Sequence, residues 1–198
     1  MRAFRNWLEW FLRFRYRCGY GVHSPFAFDF ITGVVFERSC YYAYQKLDRE
    51  YPVGLWGRFS HMRKCRRFLF RLANYVHPDV FVCHREIPSD EIAYMAAGSC
   101  SAEWKGEDAL PGLHGKKILF YTNADKKNLF PLLKQLSEIV SSDSALLLRV
   151  KSREQRETCA QIISDSKYCG ITFDLYDYLL VFFDRKRFKQ HYKVNFLD

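Results

Sequence analysis

Lys117-Ile118-Leu119-Phe120-Tyr121-Thr122-Asn123-Ala124-Asp125 is the stretch that decides the fold. Ile118 to Tyr121 form a short apolar run that ends abruptly in polar residues. Such a run reads as a strand covered on both faces. From Asp125 to Val140 the apolar positions recur at helical spacing, and Ala145 to Val150 is a second short apolar run. Strand, helix and strand in this order form a βαβ unit, which calls for a parallel sheet covered by helices.

The same alternation extends in both directions. Upstream, Val80-Phe81-Val82-Cys83 reads as a strand and Pro88 to Ala97 as a helix opening in Ser89-Asp90-Glu91. Gly98 to Gly115 holds four glycines and Pro111 and reads as a loop. Downstream, Ser152 to Asp165 reads as a helix. Ile171–Leu175 and Leu179–Phe183 lie too close together for a crossover, so they predict an antiparallel hairpin.

The first 76 residues have a different pattern. Residues 3–16 predict an amphipathic helix with Phe4, Trp7, Leu8, Phe11 and Phe14 on one face and Arg2, Arg5, Glu9 and Arg13 away from it. It has two readings, a helix docked on its own domain or one lying in a lipid interface. Ser24-Pro25 is a helix start, with Ser24 as cap and Pro25 at the first helical position, and the helix should run to about Glu37. His23, just before the cap, reads either as a turn-fixing hydrogen-bond donor or as a base or phosphate ligand. Residues 40–50 suggest a further helix.

Residues 58–76 predict a long helix. Met62, Cys65, Leu69, Leu72 and Val76 make its buried stripe, and Arg63, Arg67 and Arg71 its exposed face. Residues 1–76 thus form an N-terminal helical region and 77–198 an α/β domain of Rossmann-like type, joined in one compact unit.

Two further segments carry a resemblance. Gly19-Tyr20-Gly21-Val22-His23-Ser24-Pro25-Phe26 lies near the N-terminus. Ile171-Thr172-Phe173-Asp174-Leu175-Tyr176-Asp177 lies near the C-terminus, followed by Leu180-Val181-Phe182-Phe183 and Lys189-Gln190-His191. Together they resemble a small bacterial family similar to class I S-adenosylmethionine (SAM)-dependent methyltransferases. That resemblance implies a mostly parallel sheet closed by a C-terminal antiparallel hairpin, and SAM at the carboxyl ends of the strands.

The cofactor motifs depart from the family's pattern. The segment after the first strand, His84-Arg85-Glu86-Ile87-Pro88-Ser89, has no glycine to admit the cofactor's backbone contacts. About 19 residues separate Gly98 from Lys117, too few for a strand, a crossover helix and another strand. The second strand and its ribose-binding acid therefore read as deleted, leaving Glu103, Glu107 and Asp108 in a remnant loop. Where the family has an aspartate-glycine-asparagine-histidine-like turn, this chain has Thr122-Asn123-Ala124-Asp125. Lys151, Arg153 and Glu154 replace paired acids after the third strand.

The cofactor-contact candidates are therefore Glu86, Asn123 and Asp125. Asp125 also suits the N-cap of the following helix, and the cap is the preferred reading. The resemblance and these losses together imply a methyltransferase-like protein that has become non-catalytic and holds no cofactor. The alternatives are an active SAM-dependent methyltransferase on an unknown substrate, or a basic module binding nucleic acid or membrane.

Composition bounds these readings. The net charge of +9 favours an anionic partner, for which Arg63, Arg67, Arg71 and the N-terminal helix are the candidates. Seven cysteines, none in a Cys-x-x-Cys pair, suggest free thiols in a reducing cytoplasm rather than a disulfide framework or a zinc site. No metal set is expected. Arg13, Arg15 and Arg17 interrupt any signal-peptide core, and no apolar run is long enough to span a bilayer. A cytoplasmic protein is expected, peripheral to the membrane if the first helix lies in a lipid interface. Gly-x-Ser-x-Gly, Gly-Lys-Ser/Thr and His-Glu-x-x-His motifs are lacking.

Overall fold

The computed structural model describes residues 11–16, 19–53, 61–84, 87–123, 125, 127–184 and 186–196. The chain divides into two compact units. One holds residues 1–77, 87–100 and 195–198, and the other residues 78–86 and 101–194.

The second unit carries the sheet. Its strands are β1 (Val80–His84), β2 (Glu103–Gly106), β3 (Ile118–Asn123), β4 (Ala145–Arg149), β5 (Thr172–Asp174), β6 (Tyr178–Phe182) and β7 (His191–Lys193). Their order across the sheet is β2-β1-β3-β4-β6-β5-β7. All pairs are parallel except the two made by β6, so the fold is the Rossmann-like α/β type with an antiparallel C-terminal hairpin.

The strand between Ile118 and Tyr121 is apolar at every position because every one of those side chains is buried. On one face Val80, Val82, Ile118, Phe120, Leu146, Leu148, Leu179 and Val181 form a continuous core. Two helices of this unit cover it. Their labels follow chain order: α5 (Leu129–Ile139) contributes Leu129, Leu133, Leu136 and Ile139, and α6 (Arg153–Asp165) contributes Cys159 and Ile163. Each such side chain contributes about 2 kcal/mol by leaving water.

At the hairpin turn Tyr176 adopts φ of 75° and donates its N–H to Asp174 Oδ1 at 3.0 Å. Arg156 of α6 is buried there, with its guanidinium 4.6 Å from the Tyr176 ring centroid and Nε 3.9 Å from Asp174. The turn is thus held from the helix side.

One sequence expectation is overturned in this unit. Residues 98–115 are not a loop with a deleted strand: β2 lies within them and pairs in parallel with β1, Val80 opposite Glu103 and Cys83 opposite Gly106. The short segment suffices because the connection from β2 to β3 uses no α-helix. Helix α4 (Ser89–Gly98) joins β1 to β2. Between β2 and β3 lie a 3-10 turn, Glu107–Gly112, and a short link.

The first unit is helical. It holds α1 (Pro25–Phe30), continued by a π-turn at Ile31–Val35, then α2 (Tyr42–Glu50), α3 (His61–Val76) and α4. Ser24 caps α1 by accepting the Ala27 N–H, and Pro25 stands at the first position. Gly19, at φ of 76°, takes a conformation that L side chains rarely adopt, and a Cβ there would meet the Phe28 ring at 3.0 Å.

The reading of α3 needs correction. Met62 is 54% exposed, whereas Arg71 is only 6% exposed. The second half of α3 is buried almost all round, through Phe68, Leu69, Phe70, Leu72 and Ala73, so it has no solvated arginine face there. Arg71 donates Nε to the Val34 carbonyl at 2.6 Å and Nη2 to the Val35 carbonyl at 3.0 Å, satisfying acceptors that the π-turn leaves open. Arg63 and Arg67 both bind Asp48 of α2, Arg67 at 2.7 Å. These arginines are internal partners, not the exposed basic stripe expected from the sequence. Of the expected N-terminal helix only residues 11–16 are described; there Arg13 is buried while Phe11 and Phe14 are exposed, opposite to a helix docked by its aromatic face, and Arg2 and Arg5 lie outside the described residues.

Candidate functional site

In an open α/β sheet the chain reverses its direction of travel at a switch point, and the strand ends there diverge to leave a crevice. Here that point lies between β1 and β3. The chain moves outward from β1 to β2, then returns to β3 on the other side of β1.

The register brings four strand ends together. His84, the last residue of β1, is opposite Thr122 of β3, and Asn123 is opposite Arg149 of β4. Since Cys83 is opposite Gly106, the next residue after β2, Glu107, falls beside His84. The His84 Nδ1 and the Glu107 carboxylate are in direct contact as an ion pair or hydrogen bond, each side chain partly exposed.

A cavity of about 170 Å3 lies at this point, with His84, Glu107, Thr122, Asn123, Asp125 and Asn128 on its polar side and Leu129, Leu132 and Leu148 on its apolar side. The turn before α5 shapes one wall. Asp125 Oδ1 accepts the Lys127 N–H at 3.1 Å, and Oδ2 accepts from Asn128 Nδ2 at 3.2 Å. Asp125 is therefore not the N-cap of the helix, as the sequence reading preferred. The helix starts four residues later with Asn128 in the cap position, and Asp125 braces the turn ahead of it. The delay follows from the local residues, because Asp125 offers the backbone a competing side-chain acceptor two residues on.

Of the three expected contact residues, Asn123 and Asp125 meet in this cavity and Glu86 lies outside the described residues. Three residues that the sequence reading did not select join them: His84, Glu107 and Thr122. Glu107 carried a usable signal, as a carboxylate directly after a glycine at the end of a strand. That strand is not legible in the sequence, because Glu103-Trp104-Lys105-Gly106 is exposed throughout and lacks apolar alternation. Lys151, Arg153 and Glu154 are exposed residues beyond β4, and Arg153 pairs with Glu157 at 2.7 Å on the surface of α6.

Cys83 is adjacent to His84 but offers no nucleophile. Burial pushes its thiol up to about 12, so it stays protonated at neutral pH.

At about 170 Å3 the cavity is smaller than the pockets that bury a whole drug-sized ligand. Pockets that bury a ligand of that size hold about 300–1,000 Å3. Glu107 does stand at the end of β2, where a ribose-directed acid is needed, but its carboxylate is engaged by His84. No protein-family model matches the chain, and no curated protein matches it.

Proposed function

We propose that the protein is a methyltransferase-like Rossmann domain that has lost SAM turnover and acts as a non-catalytic module. The observation that carries this reading is the small switch-point cavity, about 170 Å3, with Glu107 of its lining engaged by His84. The glycine-free segment from His84 to Ser89 supports it further, since side chains there obstruct close backbone approach to a cofactor.

The rival reading is an active methyltransferase whose pocket opens by parting His84 from Glu107. Calorimetric titration with SAM and S-adenosylhomocysteine separates the two. The non-catalytic reading expects no dissociation constant tighter than roughly 0.1 mM, near −5.5 kcal/mol. Micromolar binding overturns it, and Glu86, Glu107, Asn123 and Asp125 are then the residues to replace.

A basic module using Arg63, Arg67 and Arg71 is the less favoured alternative, because Asp48 and the carbonyls of Val34 and Val35 already engage those guanidinium groups. Among the described residues no helix is long and apolar enough to cross a membrane. A cytoplasmic location is part of the proposal and rests on the scattered, unpaired spacing of the seven cysteines.

A further inference from the structure

We propose that the loop between β6 and β7 is a docking surface for single-stranded nucleic acid. Its sequence is Asp184-Arg185-Lys186-Arg187-Phe188-Lys189-Gln190, and among its described residues three cations, Lys186, Arg187 and Lys189, stand against one acid. Phe188 is 91% exposed, more than any other large apolar side chain among the described residues.

The loop is braced rather than loose. Asp184 accepts the Lys186 N–H at 2.9 Å and Arg187 Nε at 2.8 Å, so the single acid is used within the loop. Lys189 donates Nζ to the Ser166 carbonyl at 2.5 Å, which ties the loop to the turn after α6. That turn presents Lys167 and Tyr168. The Tyr168 ring meets Phe130 edge-on, with centroids 5.6 Å apart, and Phe130 is itself 51% exposed. Phe188 is therefore an exposed ring flanked in sequence by Arg187 and Lys189, and Phe130, also exposed, is reached from it through Lys189, Ser166 and Tyr168.

Phosphates and bases together match this chemistry. Cations track a phosphate backbone, and accessible rings receive bases by stacking, without regard to sequence. The exposed apolar side chain of the loop, Phe188, is aromatic rather than aliphatic, which suits a π-faced ligand. A second copy of the chain is disfavoured. A two-fold contact through this loop would set its excess positive charge against itself.

The test is fluorescence anisotropy with a labelled single-stranded DNA of mixed sequence, about 12 nucleotides long to match the site size of one such surface. Wild type, Phe188→Ala, Phe188→Trp, Phe188→Leu and Lys186→Gln are compared across a salt series. Anionic phosphatidylglycerol vesicles form a parallel arm. Base stacking is worth about 1–3 kcal/mol, so Phe188→Ala should weaken binding about tenfold. Phe188→Trp should hold affinity near wild type, and Phe188→Leu should not. Lys186→Gln should lower the salt slope by about 0.7. Unchanged circular dichroism for each variant excludes misfolding as the cause.

The proposal is overturned by the absence of oligonucleotide binding at low salt, or by equal binding of wild type and Phe188→Ala. It is also overturned if vesicles bind, the oligonucleotide does not, and Phe188→Leu keeps the affinity, because the surface then belongs to lipid. Loss or retention of SAM binding has no bearing on these outcomes.

Discussion

Replacing Asp48 by asparagine keeps the size of the side chain and removes its charge. Asp48 is the centre of the first unit's polar network. Its Oδ2 receives Arg63 Nε at 3.0 Å and Arg67 Nη2 at 2.7 Å, and its Oδ1 receives the Tyr94 hydroxyl at 2.6 Å. Tyr94 is fully buried, so its hydroxyl has no water to turn to. Breaking a buried ion pair costs about 3–5 kcal/mol. Both arginine side chains keep roughly a third of their surface in solvent and recover part of that by hydration. The expected loss for Asp48→Asn is therefore about 3 kcal/mol, at the low end of that range.

The pH dependence gives a second readout. Burial opposes ionisation of Asp48, but hydrogen bonds from Arg63, Tyr94 and Arg67 outweigh it and hold the carboxyl at about 2. The folded value lies below the unfolded one. The contribution is therefore complete above about pH 4 and lost as pH falls toward 2, an effect of about 2 kcal/mol. Urea unfolding of both proteins, at neutral pH and across that acid window, measures both quantities. A neutral-pH loss below about 0.5 kcal/mol, the range of an ordinary surface substitution, would refute the reasoning. So would an acid dependence identical in wild type and variant.

Three other changes test particular contacts. Arg71→Gln should cost about 3 kcal/mol by removing a charge-assisted bond to a buried carbonyl, whereas Arg153→Gln on the surface of α6 should cost under about 0.5 kcal/mol; equal thermal shifts would restore the exposed reading of Arg71. Gly98→Ala should destabilise by about 1–3 kcal/mol through overpacking, because the new Cβ meets the Phe70 carbonyl and lies 3.0 Å from the Ala73 Cβ, where α3 and α4 approach each other; unchanged chemical denaturation would show that the two helices part easily. In native protein at mildly alkaline pH, iodoacetamide should label the exposed Cys40 and Cys100 and spare Cys83, whose thiol burial pushes up to about 12; prompt labelling of Cys83 would place it in an open site.

The parts of the fold legible in the sequence were those whose residues are buried. Strands β1, β3 and β4 announce themselves as apolar runs because both of their faces leave water, and the β5–β6 hairpin follows from its short connection. The sheet's two edges were hidden. Strand β2 is exposed at all four positions, and β7 is three residues of mixed polarity, so neither has an apolar period to read. What marks β2 as structure is the stacking of Trp104 on Phe81 at 4.5 Å, a contact between residues distant in sequence. Arg71 shows the same limit. Its spacing from Arg63 and Arg67 suggested a solvated face, but the carbonyls it serves belong to Val34 and Val35, nearly forty residues upstream. At the candidate site, Asn123 and Asp125 followed from their position after an evident strand. His84 and Glu107 required the register of an edge strand that the sequence conceals.

That concealed strand also connects the short middle of the chain to the shape of the pocket. No helix longer than a 3-10 turn separates β2 from β3, so the chain must turn back directly after Gly106. Leu110 and Leu113 anchor the return, both buried in the core that contains Val80 and Val82. Each fixes the turn with about 2 kcal/mol of apolar burial. With two leucines holding the turn against the sheet, Glu107 is drawn beside the end of β1 and meets His84. The His84–Glu107 contact thus follows from the register of β2 on β1, and the anchored turn holds Glu107 in the lining of the cavity. Substituting His84 alone would free the carboxylate without lengthening the link. The cavity would still be bounded by α5 and by the anchored turn, and for that reason the non-catalytic reading does not rest on the histidine alone.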